Sequence, residues 1–389
     1  MPFPVNAAVM QVETPPATET MAWIKPNLRN RALLDLSQAV PSYPPAEALQ
    51  EELARAVREP EVSRYTDILG IADLRAALAS HMAEDYRGTV GPENVAITAG
   101  CNQAFCVALM TLAAKGDNII LPEPYYFNHN MWLGMLGIEP RLVPGLTAHG
   151  AWPNVETVAS AIDDRTRAIM LCSPNNPTGS IYPSDRIGAF YDLARARGIP
   201  LIVDETYKDF RSSPAPLHDL FARRDWTETF IQLYSFSKVF AITGYRVGSI
   251  IAGSRFLAEA EKVLDCVAIS APHISQRAAL FGLRHLDAWK TEKKNLMLER
   301  TQAIVAAFKQ PDLAYRLVSA GAYFAYVQHP FKGQTAKEVA KRLAGEHDLL
   351  CLPGSMFGPN QEDYLRIAFA NAEAAAMPAV VERLIESQG

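Results

Sequence analysis

The chain has 389 residues, 49% hydrophobic and 20% charged, with a formal net charge of -5. That length allows two domains around a large core, and the composition is that of an ordinary globular protein. A mildly negative chain without a concentrated Lys/Arg run excludes a nucleic-acid field, and no stretch nears the roughly 20 unbroken apolar residues of a membrane span.

Residues 1–20 lack a basic start, and Pro2, Pro4, Pro15 and Pro16 interrupt their apolar residues, which argues against a signal peptide. The first chemical feature follows a predicted strand at 94–97, where Thr98-Ala99-Gly100-Cys101-Asn102 leads into an apolar helical segment at 105–113. A helix start presents free amides and the positive end of its dipole, so this junction is a candidate phosphate site. It is neither a Walker loop, which ends Gly-Lys-Ser/Thr, nor a Gly-x-Gly-x-x-Gly fingerprint. A second strand at 118–121 leads into Pro124-Tyr125-Tyr126-Phe127-Asn128-His129. Its rings either pack or offer a flat face to a planar ligand.

The strand at 168–171 enters Cys172-Ser173-Pro174-Asn175-Asn176-Pro177-Thr178-Gly179, a loop pinned by two prolines and a glycine. The Asn176 amide there can donate to a ligand oxygen without adding charge. The run at 201–203 then delivers Asp204 and, three residues on, Tyr207, while alternation turns Glu205 to the opposite face. An isolated Asp at this place also suits a cap. Paired with a phenol, it suits a pyridine ring whose nitrogen a carboxylate keeps protonated.

A further buried strand at 229–234 precedes Ser235-Phe236-Ser237-Lys238, and Arg246 follows within Thr243-Gly244-Tyr245-Arg246-Val247-Gly248. This element falls beyond the carboxyl end of its strand, where open α/β sheets hold their ligands. Lys238 is then either a surface lysine at a turn or a Schiff-base lysine for an aldehyde cofactor. Ser235 and Arg246 can grip the phosphate tail of such a cofactor, Arg246 bidentately.

Strand-like and helix-length segments alternate from about 95 to 252, which predicts an α/β fold with a mainly parallel sheet sandwiched by helices. A charged amphipathic helix at 286–309 leads out of it. Strand-like runs at 315–327 and 349–370, separated by a helical 335–345, predict a smaller α+β domain. Cys101, Cys106, Cys172, Cys266 and Cys351 are odd in number and form no Cys-x-x-Cys pair. They read as reduced thiols of a cytoplasmic protein, and no metal centre is expected.

Taken in order, these segments resemble the fold-type I pyridoxal-phosphate enzymes, specifically the class I/II aminotransferases that include aspartate and kynurenine aminotransferases. The resemblance covers nearly the whole chain. It implies that Gly100, Cys101 and Asn102 form the phosphate loop. Tyr126 is implied to stack on the cofactor ring, with Tyr125 in its place if the register is off by one. Asn176, Asp204 and Tyr207 are implied to hold the ring, Lys238 to carry the Schiff base, and Ser235 and Arg246 to bind the phosphate. Tyr364-Leu365-Arg366-Ile367-Ala368-Phe369-Ala370 resembles the family's Arg-Ile-Ser-Phe-Ala strand, so Arg366 is implied to bind the substrate α-carboxylate. Tyr65-Thr66 followed by Gly70 is similar to a segment that sends a tyrosine across a homodimer interface to the neighbour's phosphate.

The resemblance further implies that residues 1–45 join the small domain, that 46–285 form the large cofactor-binding domain and that 286–389 form the small C-terminal domain, with the pocket between them. Cis peptide bonds are implied at Glu123-Pro124 and Asn176-Pro177. One departure is visible: the family's Gln-Gly-x-Pro reads here Gln38-Ala39-Val40-Pro41. A methyl group stands where glycine lets substrate approach the backbone. Ala39 is thus a substrate-site residue that either narrows the pocket or shifts its loop.

The expected activity is amino transfer between an α-amino acid, neutral or aromatic, and a 2-oxo acid, with pyridoxal 5'-phosphate as cofactor. Lys238 would serve as nucleophile and general base, while Arg366 and Asn176 orient the substrate. A carbon-sulfur β-lyase of the same fold stays open, because fold alone does not choose the bond that breaks. A non-catalytic binding protein is disfavoured by the intact residue set. No arginine lies in a motif assignable to a second substrate carboxylate, which would need a cation if buried. Trp23, Val40, Tyr43 and Phe357 lie in segments expected to reach the pocket, and Arg29, Arg31 and Arg277 are the cations that could enter it.

Overall fold

Residues 3–24 and 31–389 are described in the computed structural model, so Arg29 lies outside the described residues. The apolar runs become β1 (Leu34–Asp35), β2 (Val95–Thr98), β3 (Asn118–Glu123), β4 (Glu139–Pro144), β5 (Thr166–Cys172), β6 (Leu201–Asp204), β7 (Phe230–Ser235) and β8 (Gly248–Ile251). Seven of these form one sheet in the order β2-β8-β7-β6-β5-β3-β4. Neighbours from β7 across to β4 run parallel, while β8 is antiparallel to both β2 and β7.

Burial on both faces explains why the strands of this sheet other than edge β4 lack polar alternation. Leu201 and Val203 of β6 point into a cluster with Leu78, Tyr191 and Phe221, whereas Ile202 between them joins Phe105, Leu109 and Leu257 on the other face. Register then aligns the strand ends, with Cys172 of β5 opposite Asp204 of β6 and Asp204 opposite Leu233 of β7. The loops carrying Asn176, Tyr207 and Lys238 therefore leave one edge of the sheet side by side.

The C-terminal part contributes β9 (Arg316–Gly321), β10 (Phe324–Gln328), β11 (Leu349–Leu350), β12 (Leu352–Pro353) and β13 (Tyr364–Ala368). An antiparallel sheet runs β12-β13-β10-β9, and β1 pairs in parallel with β11. The stretch expected as strand at 315–327 is a hairpin that turns at Ala322-Tyr323. The stretch at 349–370 is broken by a 3-10 turn, Gly354–Phe357. Trp23 and Leu36 share a core with Ile304, Val339, Ile367 and Leu384, so the two ends of the chain pack together. A smaller cluster of Tyr207, Phe210, Tyr323 and Phe324 joins this core to the loop after β6.

Among the described residues three X-Pro bonds are cis: Glu123-Pro124, Asn176-Pro177 and Ser173-Pro174, the last not foreseen. Among the described residues no helix is long and apolar enough to cross a membrane. All five cysteines are free thiols.

Candidate active site

The aligned strand ends open onto a cavity of about 450 Å³ between the two sheets. Its walls include Ala39, Cys101, Asn102, Tyr126, Asn176, Asp204, Tyr207, Ser235, Lys238, Arg246 and Arg366, residues spread over more than 300 positions of sequence. Tyr126, not Tyr125, faces the cavity. Gly100 sits just behind the wall, and Tyr65 stands apart on the surface with 75% exposure.

Other expectations are corrected. Of Trp23, Val40, Tyr43 and Phe357, Val40 alone lines the cavity. Trp23 lies in the core beneath the Lys341 ammonium, Tyr43 packs edge-on against Trp289 at 5.7 Å, and Phe357 is buried under the Arg366 guanidinium at 5.0 Å. The N-terminal segment does arrive, but through Pro16 and Ala17 at the start of the helix Pro16–Met21. Arg31 is drawn away by Asp348 and Glu386, and Arg277 by Glu59 and Glu52.

At one end of the cavity the helix Cys101–Leu112 begins directly after Gly100, whose φ is +84°. A Cβ on Gly100 would lie 2.2 Å from Arg246 Nη2, so only glycine leaves room for the guanidinium at this helix start. Arg246 Nη1 donates to Thr243 O at 3.0 Å and to Ser237 Oγ at 3.5 Å. Ser235 caps the short helix Phe236–Val239 by accepting from Ser237 N at 3.3 Å. Free amides, hydroxyls and a guanidinium converge here into a cradle for a dianionic group.

At the other end Asp204 is buried and held on both oxygens. Thr206 N donates to Oδ1 at 2.9 Å, and His129 Nε2 lies 3.2 Å from Oδ2. Burial pushes this carboxyl up, yet the hydrogen bond and charge of His129, with the bonds from Thr206, outweigh it and hold Asp204 below the usual carboxylate range. An ionised carboxylate only accepts, so His129 Nε2 carries the proton. Glu205, on the opposite face, is enclosed by His218 at 2.8 Å, Gln232 and Tyr86.

Sequence reasoning gave His129 and Thr206 no role. The available signals were spacing alone: His129 follows Tyr126 by one helical turn in Phe127–Leu136, and the amide two residues after an Asp commonly bonds its carboxylate.

Lys238 Nζ donates to Ala39 O at 2.6 Å. Burial, followed by the nearby charges of Arg246 and Arg366, pushes its amine down to about 8. Arg366 donates from Nη1 to Asn176 Oδ1 at 3.1 Å and from Nη2 to Ser37 O, while its Nε has no partner among the described residues. Burial pushes this guanidinium down to about 10. Among the described residues Lys238, Arg246 and Arg366 form no ion pair, and Asp204 is the single carboxylate in the cavity wall.

Such a donor set fits pyridoxal 5'-phosphate: an anion cradle that a Cβ at Gly100 would fill, an ionised carboxylate at the far end, and an amine of lowered basicity between. Comparison with known proteins agrees. The chain matches the family described as aminotransferase class I and II over residues 31–384. It is 27% identical to an aromatic aminotransferase of Arabidopsis thaliana over 357 residues, covering 90% of this chain and 88% of that one. Identity to an aspartate aminotransferase of Thermotoga maritima is also 27%, over 362 residues, covering 91% and 89%. The fold matches a single mutant of the Thermus thermophilus aspartate aminotransferase with a TM-score of 0.91 at 23% identity, over 99% of this chain and 100% of that one.

The chain belongs to the class I and II aminotransferases: it is a fold-type I, pyridoxal-phosphate-dependent enzyme that moves an amino group between an α-amino acid and a 2-oxo acid.

Proposed function

We propose that the preferred donors are amino acids with neutral side chains, aromatic or long aliphatic, rather than aspartate. The observation that carries this is the cation count. Among the described residues that line the cavity, Arg246 faces the phosphate cradle and Lys238 the reacting centre, which leaves Arg366 for substrate carboxylates. Arg31 and Arg277 are ion-paired elsewhere. A side-chain carboxylate would enter unpaired, whereas Val40, Phe127, Leu352, Pro16 and Ala17 offer it an apolar wall.

The proposed roles follow from the geometry. Ser235, Arg246, Gly100 and the helix start with Cys101 and Asn102 hold the phosphate, and Tyr126 covers one ring face. Asp204, steadied by His129, keeps the ring nitrogen protonated. Asn176 spends its Oδ1 on Arg366, so its Nδ2 is left to donate, with Tyr207, to the phenolic oxygen. When bound, the cofactor supplies an aldehyde that links to amines and a ring that takes up the electrons released from Cα. Lys238 is the amine that would hold the cofactor, and once displaced by substrate its Nζ would carry the proton from the substrate Cα to the cofactor's aldehyde carbon. A lysine pushed down to about 8 is partly neutral near neutrality and can accept that proton. Arg366 and Asn176 fix the α-carboxylate, and the Ala39 methyl limits approach beside it.

We also propose a homodimer. Thr66 N bonds Ser270 Oγ at 3.4 Å, which sets exposed Tyr65 beside exposed Ile269, and this patch would bring Tyr65 to the neighbour's phosphate cradle. Sedimentation of the native enzyme at micromolar concentration tests the dimer, and a monomer would refute it. The five free thiols support a reducing, cytoplasmic location. Division of the chain into 1–45 with 286–389 as one domain and 46–285 as the other is supported by the shared core of the two chain ends.

Substrate choice is tested by kcat/KM for aspartate, phenylalanine, methionine and alanine with a 2-oxo acid acceptor. Phenylalanine or methionine should lead, and a clear preference for aspartate would overturn the reading.

A further inference from the structure

Beside the active cavity lies a second one of about 300 Å³, between the helix Phe127–Leu136 and residues 8–13 of the N-terminal segment. Among the described residues, Phe127 is the one common to both walls. Its half-buried ring stands between Tyr126, 4.7 Å away centroid to centroid, and Phe357 at 5.9 Å. Its side chain is therefore a shared piece of wall between the two spaces.

The cavities differ in charge. Among the described residues, three cations and Asp204 line the first, whereas Glu13 is the only charged side chain lining the second. Glu13 has no ion-pair partner among the described residues. Gln11, Asn130 and the Tyr125 hydroxyl add hydrogen-bonding groups, and Val12, Met131 and Met356 an apolar wall. Burial raises the Tyr125 phenol, and the negative charges of Glu123 and Glu13 push it the same way.

We propose that the second cavity receives the far end of a long substrate side chain bearing a terminal ammonium group, with Phe127 as the gate and Glu13 as the counter-charge. A diamino monocarboxylic acid of lysine's length would then place its α-carboxylate on Arg366 and its distal ammonium near Glu13. This rests on the amino-acid reading above and extends it from neutral side chains to cationic ones. The balance of charge in the two cavities excludes the opposite arrangement, a distal carboxylate beside Glu13.

The test compares kcat/KM for lysine and norleucine, which differ only in the distal amino group, with alanine as a short reference. Lysine should exceed norleucine, and Glu13→Gln should lower the lysine-to-norleucine ratio by about fivefold, the size of a partly solvated ion pair. Phe127→Trp should reduce both long substrates relative to alanine. A binding measurement avoids dependence on the variants: by calorimetry on the native, cofactor-loaded enzyme, 6-aminohexanoate should bind more tightly than hexanoate. Equal or tighter binding of hexanoate, or a lysine-to-norleucine ratio unmoved by Glu13→Gln, overturns the proposal while alanine turnover leaves the amino-acid reading intact. Failure of alanine, phenylalanine and lysine alike would instead overturn that underlying reading.

Discussion

His129 Nε2 lies 3.2 Å from Asp204 Oδ2, and both side chains are buried beneath the active cavity. The pair arises from long-range packing, since helix Phe127–Leu136 must dock against the end of β6 to form it. Its effect is to hold the carboxyl below the usual carboxylate range against burial, which pushes it up.

Asp204→Asn should therefore retain the cofactor and lose turnover by roughly a hundredfold or more, because an amide cannot hold a ring nitrogen protonated. His129→Leu should cost about tenfold, as an orienting partner rather than the charge itself. Steady-state kcat and the absorbance of bound cofactor measure both. Near-native kcat for Asp204→Asn would move the ring-nitrogen role elsewhere. The depressed folded-state value of Asp204 also contributes stability that is present above the unfolded carboxylate range and lost as pH falls, so His129→Leu should shift acid unfolding to higher pH.

Lys238 sets a pH dependence of opposite origin. Its folded-state value is pushed from 10.5 to about 8, chiefly by burial. The unfolded chain then binds the extra proton between these limits, and stability of the cofactor-free protein rises with pH across that window. Below pH 8 the buried charge costs roughly 3 kcal/mol at most. Lys238→Met should thus be the more stable protein at pH 7 and lose that advantage toward pH 10.5, by urea titration of cofactor-free samples. Lys238→Ala should abolish turnover while the phosphate cradle still binds cofactor, and borohydride should fix the cofactor onto Lys238 in the native enzyme.

Arg366→Gln removes the guanidinium from a buried site already lined by Asn176 Oδ1 and Ser37 O. Loss of a charge-assisted bidentate contact should reduce kcat/KM for neutral amino acids by roughly a hundredfold, with most of the change in KM. An unchanged KM would show that the α-carboxylate binds elsewhere.

Gly100→Ala places a methyl 2.2 Å from Arg246 Nη2 and strains a backbone with φ of +84°. Cofactor affinity should fall by at least about tenfold as the guanidinium is displaced. Fluorescence titration of the cofactor-free protein with pyridoxal 5'-phosphate reads it directly, and native affinity would place the phosphate away from this helix start.

Residues tied to strand ends are legible in the sequence. Asp204, Ser235 and Asn176 follow largely apolar runs, and a parallel sheet buried on both faces requires such runs to end together at one edge. Gly100 was legible because a glycine between strand and helix marks a backbone that other residues strain to adopt. The hairpin at Ala322-Tyr323 was not, since an apolar stretch reads alike whether it runs straight or folds back.

By itself the chain's order of motifs determined the fold class and, through the family it resembles, the cofactor, and it marked residues that line the cavity, because strand ends and turns are set by local spacing. Tertiary structure alone decided what lies between the motifs. It set His129 against Asp204, brought Pro16 and Ala17 to the cavity while Trp23 went into the core, and drew Arg31 to Glu386 and Arg277 to Glu59. Each of these joins segments far apart in sequence, and a free cation looks identical to a paired one until packing supplies its carboxylate.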